Sequence, residues 1–170
     1  HGFSSSPKEF RELGNLLARN NISVYVPLLP GHGTSPERLA VTKHFQWIES
    51  VNDSIKKLEK EYKEIYLVGN SLGGNLAIIS ANKSKKIKGI VTLGSPIIFR
   101  KEKIKRYLFF PIIRRIKLFQ KKKYDIDITE INKRRTTYPM VALRSIHQGL
   151  KIVILSKKCI KNIKTPILVM

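Results

Sequence analysis

The ten residues Ile65-Tyr66-Leu67-Val68-Gly69-Asn70-Ser71-Leu72-Gly73-Gly74 join a short apolar run to a glycine-rich turn. Ile65–Val68 predicts a strand buried on both faces, and Leu72–Ala81 predicts a helix. Between them, Gly69–Gly73 matches G-x-S-x-G, in which a serine lies at the tip of a tight strand-to-helix turn. Glycines on both sides let the strand and helix pack closely and leave the serine hydroxyl exposed. We therefore predict that Ser71 is a nucleophile.

The helix that follows this turn adds a second chemical feature. Its N-terminus presents backbone N–H groups and a partial positive charge, which suits a developing oxyanion. The N–H of Leu72 is one predicted donor. A glycine-rich strand-to-helix turn could equally bind a phosphate, so the motif alone leaves that alternative open.

Upstream of the turn, Ser6-Pro7-Lys8-Glu9 has the pattern of a capping box at the start of a helix. We expect this helix to run from Pro7 to Arg19 and to be followed by a strand from Ile22 to Val26. The segment Pro27–Pro36 contains three prolines and two glycines, so it is predicted to be a loop.

A second helix is predicted after Thr42, which can cap it, because apolar residues recur at helical spacing from Phe45 to Tyr62. Ile87–Leu93 predicts a further strand, and Pro166–Val169 predicts the last one. Strands that alternate with helices in this order indicate an α/β sheet with parallel strands and right-handed crossovers.

Four motifs in order resemble those of the bacterial carboxylesterase and monoacylglycerol lipase family of α/β-hydrolases. They are His1-Gly2-Phe3, Pro30-Gly31-His32-Gly33, Gln46-Trp47 and Gly69-Asn70-Ser71-Leu72-Gly73-Gly74. The likeness covers residues 1–96. It implies a three-layer α/β-hydrolase fold: a mostly parallel sheet, helices on both faces and a helical lid inserted before the last strand.

The resemblance also implies a set of site residues. Ser71 would be the nucleophile, and the backbone N–H groups of Phe3 and Leu72 would form the oxyanion hole. Further substrate-binding positions would be Gly2, His32 and Asn70. His32 could line the acyl pocket or could instead stabilise its own loop. No metal and no organic cofactor are implied.

The domain organisation follows from where the strand alternation stops. We predict a core of residues 1–96 and 165–170, with a lid formed by residues 97–164. Within the lid, helical spacing predicts one helix over Lys103–Phe119 and another over Pro139–Gly149.

Both ends of the chain look cut. The first residue is His1 rather than Met, and the strand at Thr165–Met170 stops with nothing after it. We expect a strand before His1. The resemblance places the acid of the catalytic triad a few positions after Met170, and the catalytic histidine further on.

The formal net charge is +21, and 20 of the 33 Lys and Arg residues lie between Ile97 and Lys164, against four acids there. Such a surface would attract the phosphates of nucleic acid or of anionic lipid, although a chain rich in Ile, Asn and Lys throughout also suggests a bias of composition. No nucleic-acid-binding module is recognisable, so we expect no nucleic acid partner. A lid with an apolar side and a basic side could make peripheral contact with an anionic membrane, or its apolar side could only pack on its own core.

Cellular location is only weakly indicated. No apolar run approaches the roughly 20 residues needed to span a bilayer, and the single cysteine, Cys159, suits a reducing compartment. We expect a cytoplasmic protein that can associate with membranes.

Function is then predicted as hydrolysis of carboxylic esters of medium acyl chains, similar to monoacylglycerols, through an acyl-enzyme on Ser71. One alternative is acyl transfer or thioester hydrolysis on the same nucleophile. Another is a catalytically incomplete hydrolase remnant with a basic lipid-binding surface. Without the acid and the histidine, residues 1–170 alone should have little activity.

Overall fold

The computed structural model describes residues 1–98, 119–122 and 137–170. Five strands lie in these ranges: β1 (Ile65–Asn70), β2 (Ile87–Leu93), β3 (Phe119–Lys121), β4 (Met140–Ala142) and β5 (Ile167–Val169). β1, β2 and β5 form a parallel sheet with β2 in the middle. The predicted parallel sheet is confirmed, and β3 pairs antiparallel with β4 in a separate small sheet.

The described residues form five α-helices: α1 (Arg11–Arg19), α2 (Pro36–Val41), α3 (His44–Glu61), α4 (Leu72–Ser80) and α5 (Leu143–Cys159). The helix predicted from Pro7 is confirmed, with a 3-10 turn over Pro7–Phe10 as its start. α4 contacts β1, β2, α3 and α5, which makes it the central helix of the described residues. None of the described helices has both the length and the hydropathy needed to cross a bilayer.

The hydrophobic core lies around α4. Its largest cluster centres on Trp47, Leu76 and Ile152, which are at most 1% exposed and come from α3, α4 and α5. A second cluster joins Ile55 of α3 to Ile65 of β1. The predicted helix α3 is confirmed, and its buried face contributes to both clusters.

Thr42 does not cap α3. Its hydroxyl donates to the carbonyl of Arg38 at 2.8 Å and so closes α2. At the start of α3, the side chain of Gln46 accepts the N–H of Lys43 at 2.7 Å. A hydroxyl between two short helices can bond backward or forward, and here the free carbonyl at the end of α2 is its partner.

The strand predicted over Ile22–Val26 is wrong for the described residues. The segment is not hydrogen-bonded to any described strand, and the side chains of Ile22 and Tyr25 are about half exposed. A strand requires a neighbour to pair with, which a local sequence pattern cannot supply. The prediction that β1 is buried on both faces is also wrong, because Tyr66 is 62% exposed and Val68 is 38% exposed.

The predicted lid is only partly described. The helix predicted over Lys103–Phe119 lies outside the described residues except for Phe119, which belongs to strand β3. The second predicted helix is present as α5, which begins at Leu143 and continues to Cys159 instead of ending at Gly149. The division of the chain into core and lid stays a prediction.

Residues of α5 are deeply embedded despite their place in the predicted lid. Asn75 of α4 is fully buried and donates to Ser156 Oγ of α5 at 2.8 Å and to the carbonyl of Pro96 at 2.9 Å. Because Ile152 and Val153 are also buried, α5 packs as a helix of the core.

The contact between β1 and α4 is closest at Gly69. A Cβ atom on Gly69 would overlap the backbone of Gly73 and Gly74, and a Cβ on Gly74 would overlap Ser95 Oγ. Only glycine therefore permits the strand and helix to approach in this way, as the motif predicts.

We predict that Gly69→Ala destabilises the full-length protein by about 3 kcal/mol, because the added methyl group meets backbone atoms that cannot move aside. Gly14→Ala in α1 is the matched control: its Cβ would lie an ordinary 3.7 Å from Val24 Cγ1. Replacing a glycine inside a helix by alanine should stabilise by about 0.5–1 kcal/mol. Urea unfolding measures both changes, and equal effects would contradict this account of the turn.

Candidate active site

Ser71 occupies a strained turn between β1 and α4. Its backbone has φ of 50° and ψ of −111°, a conformation that side-chain-bearing residues rarely adopt. Two hydrogen bonds hold it there: the Ser71 N–H donates to the carbonyl of Leu93 at 2.8 Å, and the Ser71 carbonyl accepts the N–H of Asn75 at 3.3 Å. The backbone of Ser71 is thus held by β2 on one side and by α4 on the other.

The loop at the N-terminus lies against the first turn of α4. The N–H of Ser5 donates to the carbonyl of Gly2 at 3.2 Å, which closes a turn with Phe3 and Ser4 at its centre. Ser4 has φ of 57° and is fully buried. A Cβ on Gly73 would lie 3.0 Å from the carbonyl oxygen of His1, so this loop, which we name the oxyanion loop (residues 1–5), touches α4 directly.

Two backbone donors lie on these adjoining elements. Within the described residues, no hydrogen bond is assigned to the N–H of Phe3 or to the N–H of Leu72. Leu72 is the first residue of α4, where N–H groups have no partner inside the helix. This arrangement can supply two donors to an oxyanion formed beside Ser71.

Glu9 makes contacts that the sequence did not suggest. Its carboxylate accepts the backbone N–H of Gly2 at 2.7 Å through Oε2 and the side-chain amide of Asn70 at 2.9 Å through Oε1. The predicted capping box is wrong, because the Ser6 side chain caps nothing and Glu9 faces the oxyanion loop instead. Glu9 thus joins two of the predicted substrate-binding residues to each other.

His32 lies in an aromatic cluster that contacts the oxyanion loop. It is fully buried, its Nδ1 is 3.2 Å from the carbonyl of Pro30, and its ring packs edge-on against His1, Phe3 and Trp47 at centroid distances of 5.0, 6.1 and 5.5 Å. Burial lowers the pKa of His32 to about 4. A neutral, fully enclosed imidazole supports the loop-stabilising role that the sequence left open.

His1 also has a structural place in this cluster. Its Nε2 accepts the backbone N–H of Leu29 at 3.1 Å, and its Nδ1 lies 3.1 Å from the carbonyl of Gly2. An imidazole that accepts at Nε2 carries its proton on Nδ1, so the ring is neutral and donates to Gly2. It holds the oxyanion loop to the Leu29–Gly33 loop.

Residues after Phe119 also hold these loops. The hydroxyl of Tyr138 donates to the carbonyl of Gly31 at 3.0 Å and accepts the N–H of Thr34 at 2.8 Å. The ammonium group of Lys122 is hydrogen-bonded to the hydroxyls of Ser4 and Thr137. The sequence does not reveal the roles of Tyr138 and Lys122, because they contact residues that are distant in the chain. Glu9 also bonds to a distant residue, Asn70, and its local pattern predicts a helix cap instead.

The described residues place no acid or base next to Ser71. Across residues 1–98, 119–122 and 137–170, no histidine or carboxylate side chain is hydrogen-bonded to Ser71 Oγ. Of the predicted site residues, the structure brings together Gly2, Phe3, Asn70, Ser71 and Leu72. His32 is not hydrogen-bonded to these residues in the structure and packs against the ring of Phe3.

The burial of His32 predicts a pH-dependent stability. Since its pKa is about 4 when folded and near 6.5 when unfolded, the unfolded state binds its proton first as the pH falls. Stability is then complete above about pH 6.5 and decreases toward pH 4, by about 3 kcal/mol for this group.

We expect His32→Asn, whose amide can still donate to the carbonyl of Pro30, to remove that part of the pH dependence. The measurement is the free energy of unfolding in urea for the full-length protein and the variant at about pH 7 and about pH 4.5. The wild type should lose about 2–3 kcal/mol more than the variant between these values. Equal losses would show that His32 titrates normally.

Known proteins resemble this chain over more than half of its length. Residues 1–170 match the family described as serine aminopeptidase, S33. A carboxylesterase of Bacillus subtilis is 30% identical over 147 residues, which are 86% of this chain and 59% of that protein. A thermostable monoacylglycerol lipase of Bacillus sp. strain H-257 is 32% identical over 97 residues, which are 57% of this chain and 39% of that enzyme. The chain thus spans less than two thirds of the length of either relative.

Solved structures agree on the architecture. A metagenome-derived lipolytic enzyme superposes with a TM-score of 0.82 at 21% identity, over 99% of this chain and 68% of that one. The monoacylglycerol lipase of Paleococcus ferrophilus superposes with a TM-score of 0.75 at 20% identity, over 99% and 69% of the two chains. Both likenesses show the α/β-hydrolase fold. Because the family match extends over all of residues 1–170, the chain belongs to the serine aminopeptidase S33 family of α/β-hydrolases.

Proposed function

We propose that the protein is a serine hydrolase that cleaves carboxylic esters through an acyl-enzyme on Ser71. The observation that carries this proposal is the pairing of a serine held at φ of 50° with two adjoining backbone N–H groups, those of Phe3 and Leu72. A nucleophile beside two unbonded donors is the arrangement that acyl transfer requires.

The reaction would begin when Ser71 Oγ attacks the ester carbonyl. A histidine, which we expect after Met170 together with the triad acid, would take the serine proton and later pass it to the leaving alcohol. The negative charge on the tetrahedral intermediate would be stabilised by the N–H groups of Phe3 and Leu72 and by the N-terminus of α4. Water, activated by the same histidine, would then release the acid from the acyl-enzyme.

The substrate is proposed to be a lipid-like ester of medium acyl length. Two relatives are named as a carboxylesterase and as a monoacylglycerol lipase, which supports esters over other acyl compounds. Half of the lid that would cover the acyl chain, residues 99–118 and 123–136, lies outside the described residues. Of its described part, Tyr138 and Lys122 contact the loops that surround the site.

Ester hydrolysis has three alternatives: two other activities on the same serine and a protein without turnover. An acceptor other than water would make the protein an acyltransferase, and a thioester substrate would make it a thioesterase. A remnant without the triad acid and histidine would bind lipid but turn nothing over. A panel of esters, thioesters and an anilide distinguishes these outcomes.

Peripheral contact with an anionic membrane is also part of the proposal. The net charge of +21 supports it, as does the absence of Asp and Glu from the sequence between Ile65 and Ile98 and between Thr137 and Met170. Sedimentation with vesicles that contain phosphatidylglycerol should be strong at low salt and weak at high salt. Neutral phosphatidylcholine vesicles are the control, and equal binding to both would contradict the electrostatic contact.

The test of catalysis uses nitrophenyl esters of graded acyl length, the matching thioesters and a leucine anilide, with the full-length protein. We expect the medium-chain esters to be hydrolysed fastest and Ser71→Ala to lower kcat by about 10⁴-fold or more. Ser23→Ala, an exposed serine, is the matched control and should leave kcat unchanged.

A fluorophosphonate probe should label the wild type and Ser23→Ala at the Ser71 peptide, and should not label Ser71→Ala. Turnover and labelling that vanish together would establish the serine hydrolase. A wild type that neither labels nor hydrolyses any member of the panel would overturn the proposal and leave lipid binding as the function to pursue.

A further inference from the structure

We propose that Glu9 is a positioning residue, which together with Asn70 fixes the oxyanion loop against the turn at Ser71 between β1 and α4. This inference rests on the proposed function of Ser71 and assigns a task to two side chains that the chemistry itself does not use. We name the pair the Glu9–Asn70 clamp.

The geometry of the clamp is bidentate. One carboxylate oxygen of Glu9 accepts the N–H of Gly2 at 2.7 Å, and the other accepts the amide of Asn70 at 2.9 Å. Hydrogen bonds to an ionised acceptor are shorter and about twice as strong as neutral ones. Both bonds are partly buried, so water competes with them less than it does at the surface.

The two ends of the clamp are the immediate neighbours of the reacting groups. Gly2 precedes Phe3, whose N–H is the proposed oxyanion donor, and Asn70 precedes Ser71. A single carboxylate therefore sets the position of one donor relative to the nucleophile. Oxyanion-hole donors must lie about 2.7–3.1 Å from the oxyanion, so small displacements of this loop reduce the rate.

Packing around the clamp is close. A Cβ on Gly2 would lie 3.4 Å from Asn70 Nδ2 and 3.5 Å from Glu9 Oε2. A side chain at position 2 would therefore meet both partners of the clamp, and the amide of Asn70 is turned toward Glu9. This orientation favours a structural task for Asn70 over direct contact with a substrate.

The first test is Glu9→Ala in the full-length protein. Misplacement of a catalytic group by about 1 Å can lower the rate about 100-fold, so we expect kcat to fall about 10- to 100-fold while KM changes less than about 3-fold. The rate of fluorophosphonate labelling should fall in parallel. Glu12→Ala is the matched control, since Glu12 is exposed in the first turn of α1.

Asn70→Ala should lower kcat by a similar factor. The double variant Glu9→Ala with Asn70→Ala should be no slower than the worse single variant, because both substitutions break one clamp. Additive losses in kcat would show that the two residues act independently and would overturn the proposal.

An exchange of the two functional groups gives a second test that retains the size of each side chain. Asn70→Asp sets two carboxylates against each other and should reduce kcat about as much as Glu9→Ala. Adding Glu9→Gln to Asn70→Asp should restore kcat to within about 3-fold of the wild type. In that double variant the new amide at position 9 can accept the Gly2 N–H and donate to the new carboxylate at position 70.

The outcomes separate the clamp from the function on which it rests. A wild type without turnover or labelling overturns the proposed function and the positioning role together. An active wild type whose Glu9→Ala variant has a lower melting temperature but an unchanged kcat overturns the positioning role alone. A raised KM with unchanged kcat would instead show that the clamp residues bind substrate, and would also overturn it.

Discussion

The close approach of β1 to α4 at Gly69 is the constraint on which the rest of the site depends. A side chain at this position would meet the backbone of α4, and the residue at which the chain turns from strand to helix is Ser71, with its positive φ. The bond from the Ser71 N–H to Leu93 then ties the strained residue to β2. Strain at one residue is tolerated because packing on both sides over-determines it. The oxyanion loop packs on Gly73 of α4. The contact between β1 and α4 therefore also positions the proposed donors, the N–H groups of Phe3 and Leu72.

Two neutral histidines, His1 and His32, support the loops around Ser71. His1 and His32 are buried side by side and bond to backbone groups of the loops that they join, so neither is available as a general base for Ser71. Within the described residues, His32 Nε2 has no hydrogen-bond partner, which is consistent with a ring that stays uncharged and packs as an aromatic. Trp47 completes the cluster and bonds to the carbonyl of Pro30. The polar atoms of these side chains therefore bond to the backbone of the loops and hold the loops together.

Elements whose pattern is local could be predicted from the sequence. β1, α4 and β2 follow from apolar runs and glycines that are contiguous in the chain, and the five-residue motif predicted the strand-to-helix turn at Ser71. The segment Ile22–Val26 has an equally good strand pattern, yet pairing is a tertiary property and the described residues offer it no partner. The first residues of α5 were misplaced for the same reason, because Met140–Ala142 pair with β3 before the helix begins. A single sequence carries no record of such partners.

Glu9 shows how a correct local pattern can still give the wrong contact. A Ser-x-x-Glu sequence before an apolar run predicts a cap, and a cap contributes about 0.5–2 kcal/mol. The alternative partners are the N–H of Gly2 and the amide of Asn70, the latter 61 residues away. Hydrogen bonds to a charged acceptor contribute about 1.5–3 kcal/mol each, so two of them outweigh one cap wherever the fold brings the donors within reach. Glu9 therefore does not cap the helix, because the end of β1 places the Asn70 amide within hydrogen-bond reach of its carboxylate. The local sequence determines where the helix begins, and the tertiary fold determines which groups the Glu9 carboxylate contacts.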